Sequence, residues 1–210
     1  MFREDIEINA IIEGTDLPII SSDDNIYINY DKFENKEIQV LYVTGLSGGG
    51  KSYLSKKIAK KLKCEYVELD SWFSPTNKWF DMYFTKHPKI AEGIETQTWN
   101  VQVLVDAIEW ILKNNRDKQF IFEGVHIPFM FHKEDIGDLK SNLFKDDSKY
   151  AVILIGTSLF KSVIRRFIRD GIFNKHTPYL VRQYRDWLRT QNLFRKDILN
   201  RHEISYKDFK

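Results

Sequence analysis

The sequence predicts an α/β domain, a three-layer αβα sandwich on a mostly parallel sheet, and three observations carry that expectation. Four short apolar runs alternate with amphipathic helical patterns between residues 38 and 199. A glycine-rich loop joins the first run to the first helical pattern. At 210 residues the chain is long enough to bury the core such a sandwich needs. Alternation points to parallel pairing because each parallel connection must cross back over a sheet face, usually as a helix.

The four runs are "IQVLYVTG" (38–45), "EYVELD" (65–70), "QFIFEG" (119–124) and "YAVILIGT" (150–157). Each is short, rich in β-branched and aromatic residues, and closed by a turn or polar residue, as buried parallel strands are. Residues 52–63 and 99–113 read as helices. In the second, Val101, Leu104, Val105, Ile108, Ile111 and Leu112 form one apolar face. After the fourth run, Leu159, Phe160, Val163, Ile164, Phe167 and Ile168 mark a further amphipathic helix ending near Gly171. Thr177-Pro178 then looks like a cap and first-turn proline opening a long helix to about Leu199. The remaining candidate for a fifth strand is "HEISYKDF" (202–209).

Residues 1–37 form a distinct acidic extension, with ten Asp/Glu against three Lys/Arg. Partial period-two alternation in "EDIEINAIIEG" and "DNIYINYDKF" predicts a β-hairpin or edge strands added to the core domain of residues 38–210. Residues 157–210 carry thirteen Lys/Arg against five Asp/Glu, which suits an anionic ligand or a set of solvated helix faces. Cys64 is the single cysteine, so no disulfide framework can form within the chain and a reducing cytoplasm is expected. The acidic first residues have neither the charge nor the apolar run of a signal peptide or membrane span.

Gly45-Leu46-Ser47-Gly48-Gly49-Gly50-Lys51-Ser52 matches the phosphate-loop (Walker A) pattern, and Tyr53 follows it in the helix. Glycines let consecutive backbone N–H groups converge on an oxyanion, and the following helix N-terminus adds positive potential. The pattern assigns Lys51 to the β- and γ-phosphates of a nucleotide and the Ser52 hydroxyl to Mg²⁺. No guanine-reading Asn-Lys-x-Asp is present, nor the added signature of transporter ATPases. Two strand ends instead suggest transfer to a small acceptor. Asp70, at the carboxyl end of the second run, is placed beside the phosphate loop, where it suits an acceptor proton. Glu123 ends the third run and is a candidate for metal or substrate, followed by Gly124 and His126. Both carboxylates can also be read as helix caps or solvated turn residues.

"GLSGGGKS", "LDSWF", "FIFEGVHI" and "SVIRRFIRDG", in that order, resemble the uridine kinase and phosphoribulokinase branch of P-loop kinases. "EGVH" adds a looser similarity to 2-phosphoglycerate kinase. The resemblance covers roughly residues 38–175 and implies the P-loop NTPase fold with ATP and Mg²⁺ as cofactors. It implies that Asp70 acts as base or acceptor-hydroxyl ligand and that Glu123-Gly124 is the family's Glu-Gly strand end. It also makes the segment at about 158–176 an arginine-rich lid, with Arg165, Arg166 and Arg169. Trp72-Phe73 stands where the family has Phe-Tyr, and no segment matches the family's uridine-reading region, so the resemblance supports a kinase better than a uridine kinase.

The expected site is therefore catalytic Lys51, Asp70, Arg165 and Arg169, with acceptor contacts from Asp70, Trp72, Trp79, Glu123, His126 and Arg166. Ser52 and Glu123 are the metal candidates. The leading expectation is an ATP-dependent kinase phosphorylating a hydroxyl of a small molecule, a nucleoside or related sugar. A polynucleotide-end kinase and a non-catalytic nucleotide-binding assembly protein are the alternatives, and no membrane partner is expected.

Overall fold

The computed structural model describes residues 25–71, 74, 76–90, 101–131, 142–156, 161–162, 164–165, 168 and 177–202, the helix 177–187 by its backbone alone. The chain divides into two compact units. One contains residues 26–44 and 50–154; the other contains residues 1–25, 45–49 and 155–210.

The first unit is an α/β structure on a five-stranded, mostly parallel sheet. Its strands are β1 (Ile26–Ile28), β2 (Val40–Thr44), β3 (Glu65–Glu68), β4 (Phe120–Glu123) and β5 (Tyr150–Leu154), in the order β1-β5-β2-β4-β3. β2 pairs in parallel with both β4 and β5, β3 with β4, and β1 runs antiparallel to β5 at the edge. Every residue of β2, β4 and β5 is buried, the signature of strands covered on both faces. The four expected strands are thus present. The fifth is the N-terminal Ile26–Ile28, within the extension where edge strands were expected; residues 1–24 and 203–210 lie outside the described residues.

The strand order distinguishes the two expected carboxylates. Asp70 follows β3, but β3 does not neighbour β2, because β4 lies between them. The carboxylate on the strand beside β2 is Glu123.

Among the described residues this unit includes the helices α1 (Tyr30–Glu34), α2 (Lys51–Leu62), α3 (Lys78–Lys86), α4 (Val101–Asn114) and α5 (Ile127–Phe131). Residues 69–71 make one 3₁₀ turn after β3. In α4 the expected stripe is buried at Val101, Leu104, Val105, Ile108 and Ile111, together with Ala107, whereas Leu112 is only partly buried. The last carbonyls of that helix are met by Gln39, whose Nε2 donates to Leu112 and Asn115 oxygens at 3.1 and 2.8 Å. Gln119 plays the same part before β4, donating to the Phe33 and Ile38 carbonyls. Aromatic rings run through the core as contacting pairs, Trp79 on Phe120, Phe120 on Phe122 and Phe122 on Tyr42.

The second unit contains α6 (Thr177–Arg201), whose start agrees with the Thr-Pro signal. Leu188, Phe194, Ile198 and Leu199 are buried, and Arg189 is exposed. The expected lid helix is helical at its described positions 161, 162, 164, 165 and 168. Its apolar stripe is not uniformly buried, however: Ile164 and Ile168 are exposed, and Ile168 retains 74% of its surface. No helix among the described residues is long and apolar enough to cross a membrane.

Candidate functional site

The loop between β2 and α2 is shaped by glycines with positive φ, Gly45 at 149°, Gly48 at 83° and Gly50 at 96°. At Gly48 the requirement is double. Side chains rarely adopt that backbone, and a Cβ there would sit 2.6 Å from the Ser162 carbonyl oxygen. Ser162, itself buried, donates its hydroxyl to the Ser47 carbonyl at 2.5 Å. Arg165 Nη1 reaches the Gly48 carbonyl at 3.4 Å. The expected lid arginine therefore contacts the glycine loop directly.

Gly50 caps α2, and Leu54 N donates back to the Gly50 carbonyl at 3.1 Å. The first residues of this 12-residue helix are Lys51 and Ser52, at the end where amide dipoles leave positive potential. Both side chains converge on Glu123. Ser52 Oγ donates to Glu123 Oε2 at 3.0 Å, and Lys51 Nζ lies 3.7 Å from Oε1. Tyr66, on β3, donates its hydroxyl to the same Oε2 at 3.0 Å. Glu123 is only 1% exposed. Burial pushes its carboxyl above the usual range, Lys51 pulls it back, Asp70 adds to the rise, and the two hydroxyl donors oppose it. Burial chiefly, and then Glu123, push the Tyr66 phenol well up, so it stays a donor.

Asp70 lies in the 3₁₀ turn after β3, and Gly124 follows Glu123. A Cβ on Gly124 would stand 2.9 Å from Leu69 Cβ and 3.2 Å from Asp70 Oδ1. Glycine is what lets the Asp70 turn close on the end of β4. His126, two residues on, places Nε2 3.6 Å from Asp70 Oδ1. Burial holds the imidazole below its ordinary value, against the upward pull of Asp70, with Lys51 adding to the fall.

Lys51, Ser52, Asp70, Glu123 and His126 are thus brought together in one unit. Trp79 is not a pocket wall. It is 4% exposed, packed edge-on against Phe120 at 4.9 Å, because α3 turns that face toward the sheet. Tyr53 is 75% exposed in the first turn of α2. Trp72, Arg166 and Arg169 lie outside the described residues. Sequence reasoning missed Tyr66, which an alternating strand pattern presents as one more aromatic, and Ser162. No signal in the sequence singled out Ser162, which is one of several polar residues, with Lys161, Arg165 and Arg166, in an amphipathic segment.

A small dense cluster results: one buried carboxylate gripping a lysine and two hydroxyls, with a carboxylate–imidazole pair beside it. It can hold anions at Lys51 and the α2 N-terminus, present hard oxygens to a divalent cation, and accept a proton at Asp70. No protein-family model matches the chain, and no curated protein matches it significantly.

Proposed function

We propose that the protein is an ATP-dependent kinase transferring the γ-phosphate to a hydroxyl of a small molecule, a nucleoside or related sugar metabolite being the favoured acceptor. The observation that supports this reading is the convergence of Lys51, Ser52 and Tyr66 on Glu123 at the end of the glycine loop, with Asp70 adjoining. The same reading takes the fold as a three-layer P-loop sandwich with a lid at about 158–176.

In this reading the loop amides and Lys51 hold the β- and γ-phosphates, and Arg165, Arg166 and Arg169 neutralise charge as the lid closes and excludes water. The donor set fits Mg²⁺: Ser52 and Glu123 offer hard oxygens 3.0 Å apart, with Lys51 beside them. Bound there, Mg²⁺ would offset the negative charge of the triphosphate. Asp70 accepts the proton of the acceptor hydroxyl as its oxygen bonds to the γ-phosphorus and the bond to the bridging oxygen breaks, its electron pair leaving on ADP.

A panel of nucleosides, sugars, phosphorylated metabolites and oligonucleotides, assayed for acceptor-dependent ADP formation with ATP and Mg²⁺, tests the proposal. Acceptor-stimulated ADP release supports it. Tight ATP binding with no stimulation by any acceptor would count against transfer.

A further inference from the structure

The segment Glu123-Gly124-Val125-His126 ties the Asp70 turn to the end of β4 at two points. Gly124 has no side chain because Leu69 and Asp70 occupy that space, and His126 stands 3.6 Å from the Asp70 carboxylate. The Asp70 side chain is 41% exposed and that of His126 25% exposed, so the carboxylate faces outward with the imidazole as its inner neighbour. Glu123, in contrast, is fully committed to Lys51, Ser52 and Tyr66. Among these groups, Asp70 is the carboxylate that remains exposed to a reactant.

We infer that His126 is the positioning residue of Asp70 and the gate on its basicity. A neutral imidazole steadies the carboxylate and leaves it able to take a proton. A protonated one forms a full ion pair and ties the carboxylate up. The inference rests on the kinase reading for its catalytic consequence and on geometry alone for the pairing.

The charged groups acting on the imidazole are Asp70, from the turn after β3, which raises its proton affinity, and Lys51, from the first turn of α2, which lowers it. Glu123, the remaining charge of the cluster, is itself acted on by Lys51 and Asp70. Burial is the largest influence and favours the neutral ring. Activity accordingly rises as pH increases through a His126 midpoint below the ordinary histidine value. The proton taken from the acceptor hydroxyl ends on Asp70 and passes to solvent.

The test has two arms. In the first, the full chain with labelled histidine is titrated by NMR, His126 being assigned with His126→Gln, in wild type and Asp70→Asn. The His126 midpoint moves down in Asp70→Asn, because the neighbour that raises it is gone; an unchanged midpoint overturns the pairing. In the second, kcat/KM against pH is measured with the best acceptor from the panel. His126→Gln lowers kcat about tenfold and removes the histidine limb, so that kcat/KM no longer falls as pH drops through the wild-type His126 midpoint. A fall in rate with the limb unmoved assigns His126 a merely structural role and overturns the gate. If the panel returns no acceptor, the kinase reading and the gate's catalytic role fail together, while the first arm still decides the pairing.

Discussion

Tyr66→Phe removes one oxygen atom and no core volume, and its effect follows from what that oxygen does. The hydroxyl donates at 3.0 Å to Glu123 Oε2, an atom that also receives Ser52 and belongs to a carboxylate 1% exposed. A hydrogen bond to a charged group contributes about 1.5–3 kcal/mol and one between neutral groups about 0.5–1.5 kcal/mol. Tyr66 is only half-buried, so water partly replaces the lost donor and the lower end applies: about 1.5–2 kcal/mol where Glu123 is ionised. The cost depends on pH with a definite sign. Glu123 has a raised proton affinity in the fold, so its protonation contributes stability that is present below the unfolded carboxyl value and lost as pH rises through the folded one. Removing Tyr66's bond, which lowers that affinity, raises it further. The gap between wild type and variant therefore widens as pH rises through the Glu123 titration and narrows to the neutral-bond value below it. Urea denaturation followed by circular dichroism across about pH 4.5–8.5 measures it. A cost that is constant across this range, or below about 0.5 kcal/mol at its upper end, would refute the shared-carboxylate geometry.

Three further outcomes are expected. Gly48→Ala and Gly50→Ala impose similar backbone strain, about 1–2 kcal/mol, but only Gly48 also meets the Ser162 carbonyl at 2.6 Å while Gly50 meets nothing within 4 Å. Gly48→Ala thus loses nucleotide affinity by isothermal calorimetry well beyond Gly50→Ala, and equal losses would contradict the contact. Trp79→Ala costs about 3–5 kcal/mol of unfolding free energy in urea while leaving the affinity for ATP unchanged, since the ring packs on Phe120 in the core. The Cys64 thiol, pushed up to about 11 chiefly by burial, is alkylated slowly by iodoacetamide, with a rate still climbing tenfold per pH unit at pH 9. A rate already bending over at pH 9 and level by about pH 10 would show the thiol to be unperturbed.

The frame was legible because its signals are local. A strand buried on both faces must be apolar throughout, so Val40–Thr44 and Tyr150–Leu154 announced themselves, and the spacing in α4 marked five of its buried positions while missing Ala107 and overcounting Leu112. The glycine loop was legible for the same reason, its pattern being contiguous. Strand order was not, because register depends on pairings between segments far apart in the chain. That β4, with Glu123 at its end, lies between β2 and the strand leading to Asp70 is therefore a finding of the fold alone. Asp70 and Glu123 could each be picked out as carboxylates at strand ends, but their different duties come from burial and from partners on other elements. Tyr66 illustrates the limit: one hydroxyl distinguishes it from a core ring, and only the fold shows where that hydroxyl points. Trp79 is the reverse, an aromatic whose rank as a ligand platform gave way to the packing of α3 on the sheet.

The central claim is that the phosphate held at the glycine loop is handed to an acceptor under the control of Asp70. The direct measurement uses ATP labelled in its γ-phosphate, with Mg²⁺ and the best acceptor of the panel, following the label in wild type and Asp70→Asn. The account predicts label on an acceptor hydroxyl in wild type and transfer about 10²–10⁴-fold slower in the variant, with ATP affinity retained. Label recovered only as inorganic phosphate, or transfer undiminished in Asp70→Asn, would contradict it.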